Sequence, residues 1–136
     1  MIYEATITHI VIDDKGNDKT KKERFIIDNM ETFSEVESML FEEYGSLREF
    51  DVPAIKRSNI KEIANKRQSD EDKIYIAEIE DVFTTDTGEE KPIKYKIAFF
   101  SSSNFDDALC FITEFLKQGF DMSLISLKQS NFVDVL

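Results

Sequence analysis

The sequence predicts an α+β fold in which two pseudo-symmetric strand-strand-helix-strand repeats build a mostly antiparallel sheet with two helices packed on it. Three observations lead to this prediction. The chain has 136 residues, 41% of them hydrophobic, which is enough for a core of single-domain size. Apolar residues alternate in several segments and follow a helical period in two others. The same patterns recur in the same order at an offset of 72 residues.

The repeat is supported by identities and, more strongly, by the register of the apolar residues. The aligned identities include Tyr3 with Tyr75, Ala5 with Ala77, Ile7 with Ile79, Gly16 with Gly88 and Phe33 with Phe105. We therefore predict repeat one at about residues 1–64, a polar linker at 65–72 and repeat two at about 73–136. A single domain is expected, because one helix would leave half of a separate sheet uncovered.

Repeat one begins with two predicted strands that are joined by a turn. Residues 2–12 alternate between apolar and polar side chains, as in a half-buried strand. Residues 13–18 have the composition of a turn, with Gly16 available for positive φ, and a second strand is expected at 22–28.

A helix at residues 35–44 and a third strand complete repeat one. Ser34 and Glu37 fit a capping box ahead of an apolar stripe that stops at Gly45. A single strand is then expected somewhere within residues 50–64.

Repeat two has the same predicted order. Strands are expected near residues 73–83 and 91–101, followed by a helix that starts after Asn104 and ends at Gly119. A last strand is expected at about 121–134.

With this arrangement the chain resembles a family known as domain of unknown function 4494, which occurs in Bacteroidota and in their phages. The segments that carry the resemblance are residues 32–37, 54–63, 103–109 and 132–136. The resemblance implies a bacterial or phage protein of the cytoplasm. It implies no activity and transfers no functional residue.

Composition narrows the functional classes. The formal net charge of -11 disfavours unspecific attraction to phosphate backbones or anionic lipid. Because His9 and Cys110 are the only residues of their types, no zinc motif can form, and we expect neither metal nor cofactor. We expect His9 to be a structural residue and Cys110 an incidental surface thiol. The sequence shows neither a signal peptide nor a membrane span, so a cytoplasmic protein is expected.

Lysine and arginine concentrate on the predicted strands. A basic sheet face could hold a single nucleic-acid strand. In the alternative interpretation the face is merely solvated: if Lys94 and Lys96 lie on the outer side of their strand, the hairpin partner offers Glu78 and Glu80 on the same side for cross-strand pairs. The predicted nucleic-acid-binding residues are Lys22, Arg24, Lys56, Arg57, Lys61, Lys94 and Lys96.

Two phenylalanines lie at the flanks of the helical stripes. Phe41 and Phe111 either extend the core or form part of a partner surface, and the sequence leaves both readings open. Residues 132–136 resemble a partner-recruiting tip, but their repeat counterpart favours a strand.

The sequence contains no phosphate-binding glycine loop, nucleophile elbow or catalytic dyad, so we do not expect an enzyme. The leading hypothesis is a non-enzymatic binding module, a phage or bacterial accessory protein for single-stranded DNA. The alternative is a protein-interaction or phage assembly protein that acts as a homo-oligomer. Neither a membrane nor a small-molecule substrate is indicated.

Overall fold

A computed structural model describes residues 1–119 and 121–136 and confirms the α+β fold. Within these residues there are two helices and eight strands, and the strands form two four-stranded sheets. The elements, in chain order, are β1 (Tyr3–Ile12), β2 (Asp18–Ile27), α1 (Phe33–Tyr44), β3 (Asp51–Arg57), β4 (Ile60–Ile63), β5 (Lys73–Thr84), β6 (Glu90–Ser101), α2 (Phe105–Leu116), β7 (Ser123–Gln129) and β8 (Phe132–Val135).

The two repeats match element by element at the 72-residue offset. The helices have the same length, 12 residues, and begin at the equivalent residues Phe33 and Phe105. Both hairpins turn at a glycine in the left-handed region, Gly16 with φ of 79° and Gly88 with φ of 82°. Glycine adopts this conformation without the steric cost that a side chain would add. The repeated turn glycines therefore reflect a repeated hairpin geometry.

Helix α1 begins slightly earlier than predicted, because its cap differs from the predicted capping box, whereas α2 begins after Asn104 as predicted and ends at Leu116. Thr32 is the N-cap of α1, and its hydroxyl accepts a hydrogen bond from the backbone N–H of Glu35. Asn104, at the equivalent position of repeat two, caps α2 by accepting from the N–H of Asp106. The predicted Ser34 cap is wrong because Thr32 already satisfies the first free donors of the helix.

The predicted single third strand of each repeat is also wrong, because the chain forms two strands there. In repeat one, β3 pairs antiparallel with β1, whereas β4 pairs parallel with β6. In repeat two, β7 pairs antiparallel with β5, whereas β8 pairs parallel with β2. The sheets thus have the orders β3-β1-β2-β8 and β4-β6-β5-β7. Each repeat contributes its last strand to the sheet of the other repeat.

The strands divide the chain into two compact units. Unit 1 comprises Met1–Ser58 with Phe132–Leu136, and unit 2 comprises Asn59–Asn131. In each unit the helix packs on one face of the sheet and buries an apolar cluster. The cluster of unit 1 is Tyr3, Ala5, Ile7, Phe25, Ile27, Val36 and Leu40, and that of unit 2 is Tyr75, Ala77, Ile79, Ile97, Phe99, Ala108 and Ile112. The single-domain organisation stays a prediction.

The segment at residues 65–72 is an ordered turn within unit 2. The Asn65 side-chain amide donates to the carbonyl of Phe100 at 2.9 Å, and its oxygen accepts from the Phe100 N–H at 2.6 Å. The Asp72 carboxylate accepts hydrogen bonds from the backbone N–H groups of Gln68 and Ser69. These bonds continue the β4–β6 ladder and then turn the chain toward β5.

Candidate nucleic-acid interface

One face of the unit 1 sheet collects three of the predicted basic residues. Phe25 and Ile27 of β2 pack under α1, so the alternate residues Lys22 and Arg24 lie on the opposite face. On this face lie also the residues aligned with them on the neighbouring strands. We call this surface the Lys22 face, and it includes Glu4, Thr6, Thr8, Lys22, Arg24, Asp51 and Lys56.

Cations surround the carboxylate of Glu4 on the Lys22 face, and Asp51, which is aligned with Thr8 on β3, adds a second carboxylate to this face. Arg24 Nη2 donates to Glu4 Oε1 at 3.1 Å, and Lys56 Nζ lies 3.8 Å from the same oxygen. The Ser58 hydroxyl donates to Glu4 Oε2 at 2.7 Å. The Glu4 side chain is only 11% exposed, while that of Lys56 is 69% exposed. The carboxylate is therefore held in place, and Lys56 keeps most of its surface available to solvent.

Arg24 is further positioned by an aromatic ring. Its guanidinium carbon lies 4.3 Å from the centroid of Phe132, which belongs to β8. Such a cation–π contact contributes roughly 0.5–2 kcal/mol, depending on solvation. The contact holds the charge of Arg24 close to the β2 edge.

Unit 2 has a counterpart of this surface, which we call the Lys94 face: Glu78, Glu80, Lys94, Lys96 and Lys128. The register places Glu80 directly opposite Lys94 and Glu78 directly opposite Lys96. A shallow cavity of about 220 Å³ lies here and is lined by Asn59, Glu78, Lys94, Tyr95 and Lys96. Opposite charges on facing strand positions stabilise a sheet surface, as the alternative interpretation of these lysines expected.

The two other predicted residues lie on the opposite faces of their strands. Arg57 pairs in register with Tyr3, whose side chain belongs to the helix side of the sheet. Lys61 Nζ lies 4.3 Å from the ring centroid of Tyr95, and Tyr95 donates its hydroxyl proton toward Met122 Sδ. Burial, and then the nearby Asp81 and Glu62 charges, raises the pKa of the Tyr95 phenol. Arg57 and Lys61 are thus not part of either basic face.

The two flanking phenylalanines have different surroundings. Phe111 stacks on Phe99 with ring centroids 4.8 Å apart and packs against the core of unit 2. Phe41 is 49% exposed and makes an edge contact with Phe50 at 4.9 Å. Of the two, Phe41 has the larger surface that a partner could contact.

The other residues considered for chemistry in the sequence analysis are His9 and Cys110. His9 is buried, as expected, and its Nε2 lies 2.7 Å from Glu23 Oε1. Cys110 is exposed on α2. In the described part of the chain, no three His, Cys, Asp or Glu side chains are grouped as metal ligands would be. Likewise, no helix among the described residues combines the length and apolarity that a bilayer span requires.

The sequence analysis missed the roles of Glu4, Thr6 and Thr8 on the Lys22 face and of Ser58, which donates a hydrogen bond to Glu4. Glu4 and Ser58 lie far apart in the chain, and no local pattern connects them. Thr6 and Thr8 carry a signal that could have been used, because the offset aligns them with Glu78 and Glu80. This alignment shows that one repeat lacks the carboxylates that the other has opposite its lysines.

Comparison with known proteins identifies the family. The chain belongs to the family described as Domain of unknown function (DUF4494), which matches residues 1–136. No curated protein and no solved structure matches the chain.

Proposed function

We propose that this member of the DUF4494 family is a non-enzymatic binding module that holds single-stranded nucleic acid by its phosphates on the Lys22 face. One observation carries the proposal. Lys22 and Arg24 face Thr8 and Thr6 across the β1–β2 pair, so the positions directly opposite these cations carry hydroxyl groups rather than carboxylates. At the equivalent positions of unit 2, carboxylates face the lysines.

The arrangement suits recognition of a backbone better than recognition of bases. The strands β2 and β3, which carry these cations, are separated by β1 and lie about 10 Å apart at the usual strand spacing. Lysine, arginine and threonine side chains are common partners of phosphate oxygens, and such contacts carry no sequence information. A flexible single strand can adjust its phosphates to this spacing. We therefore propose binding that is independent of sequence.

The proposed binding is weak and depends strongly on salt. Three phosphate contacts correspond to a slope of about -2 in a plot of log affinity against log salt for a single strand. The net charge of -11 opposes the approach of any polyanion and lowers the association rate further. The setting that we propose is the cytoplasm of a bacterium, with the protein encoded by the host or by its phage.

Glu4 moderates the charge of the face. Arg24 and Lys56 both lie near Glu4 Oε1, so a phosphate must compete with this carboxylate for their charges. Replacing Glu4 by Gln keeps the size and a hydrogen-bond acceptor for Ser58 but removes the negative charge. The Glu4→Gln variant is therefore expected to bind single-stranded DNA several-fold more tightly than the wild type.

The test compares two equivalent lysines. Fluorescence anisotropy with a labelled oligothymidylate at low ionic strength should show binding that Lys22→Ala weakens several-fold, with a salt slope that becomes shallower by about 0.7. The matched control is Lys94→Ala, at the same position of repeat two, and it should leave the affinity nearly unchanged because Glu80 faces Lys94. Absence of binding by the wild type, or an equal loss in both variants, would contradict the proposal. Circular dichroism confirms that the variants are folded.

A further inference from the structure

The outer edges of β2 and β6 each hold a short parallel strand that comes from the other repeat. β8 lies along β2, and β4 lies along β6. Each of these strands has four residues and follows a two-residue connector, Ser58–Asn59 or Ser130–Asn131. The connectors have the same sequence at equivalent positions.

The β2–β8 and β6–β4 pairs have equivalent registers. Arg24 is opposite Phe132 in one, and Lys96 is opposite Ile60 in the other. A register shift follows immediately in both, after which Phe25 is opposite Asp134 and Ile97 opposite Glu62. Each strand pair ends with an equivalent backbone hydrogen bond. The Leu136 N–H donates to the Ile26 carbonyl at 2.8 Å, and the Ala64 N–H donates to the Ala98 carbonyl at 2.9 Å.

The seated strands have a common side-chain pattern. Residues 60–63 read Ile-Lys-Glu-Ile and residues 132–135 read Phe-Val-Asp-Val, that is, apolar, any, acidic, apolar. The first residue of the pattern is buried as Ile60 and half-buried as Phe132, whereas the second is exposed in both strands. We expect main-chain hydrogen bonds to hold the strand and its side chains to determine which strand fits.

We infer that the outer edges of β2 and β6 are two copies of one strand-binding site, specific for this apolar-any-acidic-apolar pattern, and that a second copy of the chain can fill it in trans. The occupant follows from the strands already seated, which are the chain's own and come from the other repeat. An exchange between two chains would form the same contacts that the exchange between repeats forms within one chain. Such exchange requires no new interface.

At ordinary protein concentration, pairing of β4 and β8 within their own chain is favoured over exchange with a second chain. A tethered strand has an effective concentration in the millimolar range, so a free copy competes only when the protein is concentrated or refolded. Exchange in trans is thus expected after refolding at high protein concentration, and not in dilute native protein.

Sequence exchange tests the specificity of the site in the full-length chain. In one variant, residues 132–135 carry the sequence of 60–63, through F132I, V133K, D134E and V135I. In the control, D134V and V135D keep the composition but invert the acidic and apolar positions. The first variant should unfold within a few degrees of the wild type, and the control clearly lower. Equal loss in both, or failure of the first to fold, would overturn the inference.

A disulfide test detects exchange in trans. Chains with R24C and chains with F132C, both also C110S, are mixed in denaturant, refolded together at high concentration and oxidised. Neighbouring strands are about 4.8 Å apart, which is compatible with the Cα separation of a disulfide. A mixed disulfide dimer is expected, and V133C in place of F132C is the control, because Val133 is exposed and lies at the register shift between the Arg24–Phe132 and Phe25–Asp134 pairs. A mixed dimer no more abundant than in the control would overturn exchange in trans.

Discussion

Units 1 and 2 have the same frame but different charges on corresponding sheet faces. The same positions in both repeats form the strands, the turns and the buried stripe of the helix. On the face opposite the helix, however, Thr6 and Thr8 of unit 1 correspond to Glu78 and Glu80 of unit 2. Buried positions must satisfy packing in both units, whereas a surface position can change its charge at little cost to folding. The proposed binding of nucleic acid would therefore distinguish the two units at these surface positions.

The outer edges of β3 and β7 differ in a second way. Pro53 of β3 lies at an irregularity of the β1–β3 ladder, where its missing N–H is tolerated. The equivalent residue of β7 is Ile125, which is 44% exposed and retains its donor. Proline and charge protect a sheet edge from pairing with other chains. Repeat one has this protection at its edge, and repeat two has less of it.

The largest expected effect concerns whether the two units unfold together. Ile7 and Ile79 are equivalent and fully buried, so Ile7→Ala and Ile79→Ala should each cost about 2–5 kcal/mol. Because each sheet contains a strand of the other repeat, both variants should lower a single calorimetric transition by similar amounts. Two separate transitions, with each variant shifting only one of them, would show that the units unfold independently.

A smaller loss of unfolding free energy is expected for substitutions at Glu23 and Tyr95, equivalent positions at which the helix-side faces of the two sheets differ. Glu23→Ala leaves the buried Nε2 of His9 without its partner and should cost about 1–3 kcal/mol in urea unfolding. Tyr95 is the equivalent of Glu23, and its hydroxyl contacts Met122 Sδ, a weak acceptor. Tyr95→Phe should therefore cost less than Glu23→Ala. The reverse order would show that the His9–Glu23 contact contributes little.

The smallest expected effect is the loss of folding stability at acidic pH that comes from the Asp18–Arg48 ion pair. Arg48 makes two hydrogen bonds of 2.7 Å to the Asp18 carboxylate, and this pairing holds the pKa of Asp18 below its ordinary value. A lowered pKa in the folded state contributes stability above the unfolded value of about 4, and this contribution is lost as the pH falls through the folded value.

The melting temperature of wild type minus that of Asp18→Asn should accordingly be positive at pH 7 and shrink below about pH 4. Glu90, at the equivalent position of repeat two, provides the control. Its counterpart of Arg48 is Phe120, which lies outside the described residues and carries no charge. The same measurement is made for Glu90→Gln, and an equal change with pH in both variants would contradict the assignment to the Asp18–Arg48 pair.

Several elements could be predicted because their signals are local. The alternation of residues 2–12, the turn at Gly16 and the stripe that contains Val36 and Leu40 each lie within one short segment, and each became the predicted element. The cap of α1 was misplaced by two residues, since Thr32 and Ser34 both have hydroxyl groups that can cap a helix. Of the basic residues, Lys22 and Arg24 could be assigned to one face by alternation alone. The approach of Lys56 and Ser58 to Glu4 could not, because it depends on the pairing of β1 with β3.

From sequence alone follow the α+β class, the 72-residue repeat, the hairpins and the helices, because periodicity and turn residues act between near neighbours along the chain. Only the tertiary structure decided that β4 and β8 pair with the sheet of the other repeat and that Arg57 and Lys61 leave the basic face. A four-residue strand is too short to show a period of its own. Its partner is selected by which strand edge is available in the folded chain, and that information is distributed over residues far apart in sequence.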